Sequence, residues 1–443
     1  MFSKITTRQI IAIAFPIILG SIAQNVVNIT DTAFLGRMGE VALGGGVIGG
    51  LFYHVLLMIG WGTGLGGQII MARRYGEGTH RAIGRVVEHV FYFLAFLSII
   101  LIGLVFFFSG SLLSLLVDSQ SIYDAGMEFI NYRIFGLMFA FINYSFNSFY
   151  VGIAKTKVIT ATTIVMVTVN VALDYALIFG HWGLPAMGIA GAALASVIAE
   201  FISCIVFILY TWFYFNYKPY RLFKFTRLNI KLLYRVLGIS WPLMIQFSLS
   251  IFVWFVFFLF IEKMGETPLA VSNILRSVYI VLMIPIWGFA SATNTLVSQL
   301  IGQERSNEVM QLIQKVIMLS MASVMVLGLI SIAIPELILR VYTNDLGLIA
   351  QSLPVLYIVA IAAIGMAGAF VMFNGVSGTG NTKVSFAIEA GTLMVYLLWA
   401  YLMTIVFKMS LRWVWCAEIL YGILVTLVSL WYLKFCRWQG TKV

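Results

Sequence analysis

Of 443 residues, 61% are hydrophobic and 10% charged, and the mean hydropathy is +1.01, so the chain carries more apolar surface than a soluble core hides. The formal net charge of +10 arises from 27 Lys+Arg against 17 Asp+Glu. The basic residues lie in short loops between apolar runs rather than on one basic face, which argues against a nucleic-acid partner and for a bilayer as the solvent.

Apolar runs long enough to cross about 30 Å of hydrocarbon recur twelve times. They fall near residues 10–35, 45–72, 87–108, 129–152, 157–180, 187–215, 233–261, 272–300, 311–334, 350–374, 384–407 and 412–435. The expected fold is therefore an all-α polytopic membrane protein with 12 transmembrane helices. With the N-terminus on the cytoplasmic side, 20 of the 27 basic residues face the cytoplasm, which sets the expected orientation with both termini inside. The N-terminal residues show no small-residue cleavage site, so no removable leader is expected. Cys204, Cys416 and Cys436 and four scattered His residues suggest neither a disulfide framework nor a zinc motif.

The second half of the chain repeats the first. A shift of 226 residues sets Phe15-Pro16 on Trp241-Pro242, Met38-Gly39-Glu40 on Met264-Gly265-Glu266, Trp61-Gly62 on Trp287-Gly288, and Gly152 with Thr156-Lys157 on Gly378 with Thr382-Lys383. One ungapped offset serving several separate motifs signals an internal repeat. Six spans per copy make the repeats parallel, giving two pseudo-symmetric six-helix lobes over 1–215 and 233–443. The basic, Pro-containing segment 216–232 joins them on the cytoplasmic face. This architecture suits a transporter that alternates access between lobes.

Several motifs in this order resemble the multidrug and toxic compound extrusion (MATE) family: a Pro in the first span followed by Asp31-Thr32-Ala33-Phe34-Leu35-Gly36, the WGTGLGGQ run of the second span, GIAKTK after the fourth, and Asn170-x3-Asp174. The resemblance covers essentially the whole chain, and the placement of the carboxylates is more similar to the DinF-type branch than to the NorM-type branch. It implies a secondary antiporter in the cell (inner) membrane that exports small organic, often cationic compounds in exchange for H⁺ or Na⁺. The alternative within the wider superfamily is a lipid-linked oligosaccharide flippase. A flippase would line its cavity with several basic residues, and only Arg276 and Arg133 are candidates. No P-loop or Ser/His/Asp arrangement is found, so neither ATP coupling nor enzymatic activity is expected, no cofactor is implied, and a monomer in contact with membrane lipid is the expected form.

A carboxylate at membrane depth costs about 2.5–3.5 kcal/mol on insertion scales, so each one needs a reason. Five qualify: Asp31, Asp174, Glu200, Glu389 and Glu418. Asp31 follows Gln24 and Asn28 on one polar stripe, and Asn170 lies one turn before Asp174. The repeat shift sets Asp31 against Phe257, Asn170 against Tyr396 and Asp174 against Ala400, so this set belongs to the first copy alone. The resemblance implies an ion-coupling and substrate cavity of Asp31, Tyr132, Asn147, Asn170 and Asp174, with Ser196 as the hydroxyl of the sixth span. Glu200, one turn on, joins it or serves as a structural hydrogen-bonding group. Two carboxylates in one dry cavity cannot both be ionised cheaply and would share a proton. The oxygens of Asp31, Asn170, Asp174 and Ser196 would also suit Na⁺. Pro16 is a candidate hinge in the first span, and Glu389 and Arg276 either pair or contact substrate.

Overall fold

The computed structural model describes residues 5–115 and 117–440. With no water in a bilayer core, a spanning segment must satisfy its own backbone, and helices do so. The described residues contain helices and no strand. In chain order these are α1 (Thr7–Met38), α2 (Glu40–Gly76), α3 (His80–Ser114), α4 (Gln120–Arg133), α5 (Gly136–Gly152), α6 (Lys157–Phe179) and α7 (Gly188–Phe213). The second series is α8 (Ile230–Glu262), α9 (Glu266–Gly302), α10 (Val309–Ala333), the short α11 (Pro335–Arg340), α12 (Leu346–Gly378), α13 (Thr382–Tyr401) and α14 (Leu411–Phe435). Thr6 and Gln9 start α1 by exchanging hydrogen bonds, Thr6 N–H to Gln9 Oε1 at 2.9 Å and Gln9 N–H to Thr6 Oγ1 at 3.3 Å.

Eleven of these helices are long and apolar enough to cross a membrane, and α4 with α5 forms a twelfth span bent by 51°. That span begins at Gln120 and breaks at residues 134–135, where the sequence suggests one run over 129–152. The bend lies beside a half-buried ion pair: a Cβ at Gly136 would collide with the Arg133 guanidinium and the Glu200 carboxylate.

The chain folds into two compact units whose boundaries cut through helices rather than loops. The N-terminal unit is Leu19–Met244, and the C-terminal unit is Ile245–Val443 together with the first 18 residues. The first part of α1 therefore belongs with the C-terminal unit, and the first part of α8, up to Met244, belongs with the N-terminal unit. Both crossovers come two residues after a helical proline, Pro16 or Pro242.

Glycines show the repeat at the atomic level. Gly39 and Gly265, the residues before α2 and α9, have φ of 114° and 119°, a backbone region that L side chains avoid. Gly62 and Gly288 permit close helix approach, as small residues do in membrane bundles. A Cβ at Gly62 would lie 2.6 Å from the Met244 nitrogen; one at Gly288 would collide with Ile18 and lie 3.1 Å from the Ala14 carbonyl oxygen. Each unit thus seats the half-helix it receives on the same glycine of its second span.

The segment after α7 is fixed to α3. The buried Glu88 carboxylate accepts the backbone N–H groups of Lys224 and Thr226, both at 3.0 Å, and the Thr226 hydroxyl at 2.5 Å. His89 Nε2 accepts the Asn229 N–H at 2.8 Å, with Nδ1 2.6 Å from the Arg85 carbonyl, so its neutral form satisfies both ring nitrogens. Tyr92 donates to the Thr226 carbonyl at 3.0 Å.

Gly62→Val should destabilise the protein by about 1–3 kcal/mol and lower its thermal midpoint by roughly 2–10 °C. Gly50→Val, on the same helix but with nothing within 4 Å of the added carbon, should leave it near the wild-type value. Thermal unfolding of the detergent-purified variants followed by size-exclusion fluorescence checks this, and equal midpoints would refute the close-approach argument.

Candidate ion and substrate site

The candidate site lies within the N-terminal unit, on α1, α6 and α7. Asn170 and Asp174 occupy successive turns of α6, and both are buried, at 2% and 0% exposure. Asp31 is half-buried on α1. Its carboxyl lies within side-chain hydrogen-bonding reach of Asp174. Asn170 donates to the Ser196 hydroxyl on α7 at 3.3 Å.

What the site lacks is donors. Asp31 Oδ1, Asn170 Oδ1 and both carboxylate oxygens of Asp174 are buried acceptors without a hydrogen-bond partner. Buried polar atoms in folded proteins are nearly always paired, so four orphaned acceptors in one place require a group that the polypeptide does not supply. A proton shared between Asp31 and Asp174 would satisfy part of the set, and a small hard cation could meet the same oxygens. Among the described residues no group of three or more His, Cys, Asp or Glu side chains is arranged to hold a metal ion.

Glu200 sits differently. It receives Arg133 in a two-pronged ion pair, Nη1 to Oε2 at 2.8 Å and Nη2 to Oε1 at 2.6 Å. Tyr53 donates to Oε2 at 3.3 Å and lies under the guanidinium, 3.8 Å from ring centroid to Cζ. Arg133 is close enough for its positive charge to act on Asp31 and Asp174 as well. Glu200 is thus bound to a permanent cation, while the two aspartates have no direct cationic partner.

The other expected residues are less engaged. Tyr132 is 41% exposed, Asn28 is exposed and Asn147 half-buried, and the structure gives none of them a hydrogen bond to the aspartates. Pro16 is buried within α1, on the part that belongs to the C-terminal unit.

The C-terminal unit holds its own buried carboxylates, hydrogen-bonded by hydroxyl groups. Glu389 accepts from Ser250 at 2.8 Å and from Tyr421 at 2.9 Å; Glu418 accepts from Tyr279 at 3.0 Å and Tyr396 at 2.9 Å. Arg276 lies 5.4 Å from the Phe258 ring centroid and forms no salt bridge with Glu389. Phe257, which the repeat sets opposite Asp31, packs on Tyr396 and Trp415 with ring centroids 5.2 and 5.6 Å away. Motif spacing alone missed these tyrosines. The repeat shift carried a signal for them, because it pairs Tyr53 with Tyr279, and each donates to a glutamate on the last long helix of its copy, α7 or α14.

Comparison with known proteins agrees with this organisation. The sequence profile of the MatE family matches residues 16–176 and again 242–402, two segments offset by 226 residues. "Probable multidrug resistance protein NorM" of Thermotoga maritima is 24% identical over 442 residues, 98% of this chain and 94% of that protein. The protein of the same name from Mannheimia succiniciproducens is 23% identical over 89% of this chain and 84% of its own length. Among solved structures, a multidrug resistance MATE family transporter of the MOP superfamily in an outward-facing conformation superposes with a TM-score of 0.89 at 16% identity, over 98% of both chains. A MOP superfamily transporter from Pyrococcus furiosus gives 0.87 at 17% identity, over 98% of this chain and all of that one. With two matched segments that together span well over half of its length, the chain belongs to the MatE family of membrane transporters.

Proposed function

We propose that this protein is a secondary antiporter of the bacterial cell membrane, with both termini cytoplasmic, that exports small organic, often cationic compounds in exchange for H⁺ or Na⁺. The observation that carries the reading is the set of four donorless oxygens on Asp31, Asn170 and Asp174. A static structural site would have been given partners, as Glu200, Glu389 and Glu418 were. The names of the relatives, probable multidrug resistance proteins, support the substrate class. The two aspartates accept H⁺ or Na⁺; Asn170 and Ser196 orient the ion; and Pro16 lets α1 bend when the charge on Asp31 changes. The placement of these acids in the first repeat supports the DinF-type pattern. A flippase would need free cations for a pyrophosphate, and Arg133 is already committed to Glu200 and Tyr53.

The direct test is drug efflux from proteoliposomes with the pH and Na⁺ gradients imposed separately. Wild-type protein should move substrate under at least one gradient, and transport indifferent to both would overturn the antiport reading. Asp31→Asn and Asp174→Asn should each lower gradient-driven efflux by roughly tenfold or more, while the folded protein stays in the membrane. Glu200→Gln should instead cost stability, by about 3–5 kcal/mol, because it leaves a buried guanidinium without its counter-charge. Thermal midpoints and transport rates measured on the same three variants separate the two roles; loss of stability in Asp31→Asn with full stability in Glu200→Gln would reverse the assignment.

The sign of the pH effect follows from charge. Protonation neutralises the pair and removes its attraction for a cation, so equilibrium binding of a cationic substrate should weaken as pH falls through the titration of the pair. Asp31→Asn should flatten that dependence. Scintillation proximity binding across the pH range checks it, and a wild-type affinity independent of both pH and Na⁺ rules out competition at this site.

A further inference from the structure

The strap that follows α7 lines an open surface cavity of about 580 Å³, walled by Arg81 from α3 and by Asn216, Tyr217, Lys218, Arg221 and Lys224 from the strap. Four cations and no carboxylate contribute to its wall. None of the four side chains makes an ion pair or hydrogen bond with another described residue. The nearby acid Glu88 is occupied by the Lys224 and Thr226 backbone N–H groups and the Thr226 hydroxyl.

These cations are held on a fixed frame. Glu88, His89 and Tyr92 hold the strap main chain at Lys224, Thr226 and Asn229. Gly84 admits the strap against α3, because a Cβ there would collide with the Tyr220 carbonyl and lie 2.8 Å from that of Arg221. Arg221, Phe223 and Phe225 all adopt positive φ, between 45° and 60°, an unfavourable backbone state retained only where surrounding contacts impose it. All four cationic residues are exposed, and like charges gathered along a fixed main chain attract an anion with a strength that salt screens.

We propose that this cavity binds the phosphate-bearing head group of an acidic membrane phospholipid. Lys and Arg are the usual partners of phosphate oxygens. The cavity falls in the size range of small-molecule sites, well above what a bare phosphate fills. Its membrane side is marked by the end of α7, where Trp212, Phe213 and Tyr214 are 52%, 70% and 83% exposed. Exposed aromatic residues of this kind sit at the level of lipid head groups, which places the cavity mouth where a head group enters with its acyl chains still in the membrane. The assignment does not depend on the transported substrate.

Native mass spectrometry of the full-length protein, titrated with phosphatidylglycerol, phosphatidylcholine or inorganic phosphate, tests it. Wild-type protein should retain phosphatidylglycerol at least about tenfold better than phosphatidylcholine, with retention falling as salt rises from roughly 0.05 to 0.5 M. The variant R81Q/K218Q/R221Q/K224Q should lose that preference, and K155Q/K157Q should keep it. Equal retention of both lipids by the wild type overturns the proposal, whether or not the fourfold variant folds. So does an unchanged preference in a folded fourfold variant. Displacement of the lipid by millimolar inorganic phosphate, or saturation by phosphate alone, would make this a free-phosphate site and also overturn the lipid assignment.

Discussion

An ionisable group in the hydrocarbon layer needs a donor, a counter-charge or a proton, because water is not there to supply one. The protein solves this in three ways. Glu200 receives a guanidinium, and Glu389 and Glu418 receive hydroxyl groups from Ser250 and three tyrosines. Asp31, Asn170 and Asp174 keep acceptor oxygens for which the polypeptide offers nothing. The first two arrangements are complete in themselves. The third is left open, and the proposed ion coupling rests on that open set.

The repeat organises this division of labour. Both copies put a tyrosine of their second span, Tyr53 or Tyr279, against a glutamate of their last long helix. Around the remaining buried polar groups the copies diverge. Where the first presents Asp31 and Asn170, the second presents Phe257 and Tyr396 in ring contact. Duplication thus preserved a packing scheme while leaving open acceptors in one copy and closing the equivalent place with aromatic rings in the other.

Much of the fold could be read from the residues because hydropathy over twenty positions is a direct readout of the solvent, and because one offset aligned two halves. The break at residues 134–135 was hidden, since Phe135 and Gly136 continue an apolar window, and Glu200, whose ion pair with Arg133 lies beside the bend, stands 67 residues along the chain from that arginine. For the site, Asn170 and Asp174 share a helix face by spacing alone, and their burial agrees with it. Glu200 pointed the same way by spacing, one turn from Ser196, and only tertiary structure gives it to Arg133. Helical periodicity tells which residues share a face; it carries no information on which distant side chain meets them. The crossovers after Ile18 and Met244 were also invisible, because α1 and α8 are apolar on both sides of them.

Those crossovers bear on how the chain can fold as it is made. The N-terminal unit has all of its pieces once Met244 has been synthesised, since its last piece is the first part of α8. The opening part of α1 belongs to the unit made later: Gly288, the residue that seats Ile18, lies on α9. Domains generally fold as units in order of synthesis, so the part of α1 before Leu19 waits while the N-terminal unit forms behind it. One helix is thus divided between a unit complete at Met244 and a unit that still awaits the helices after it.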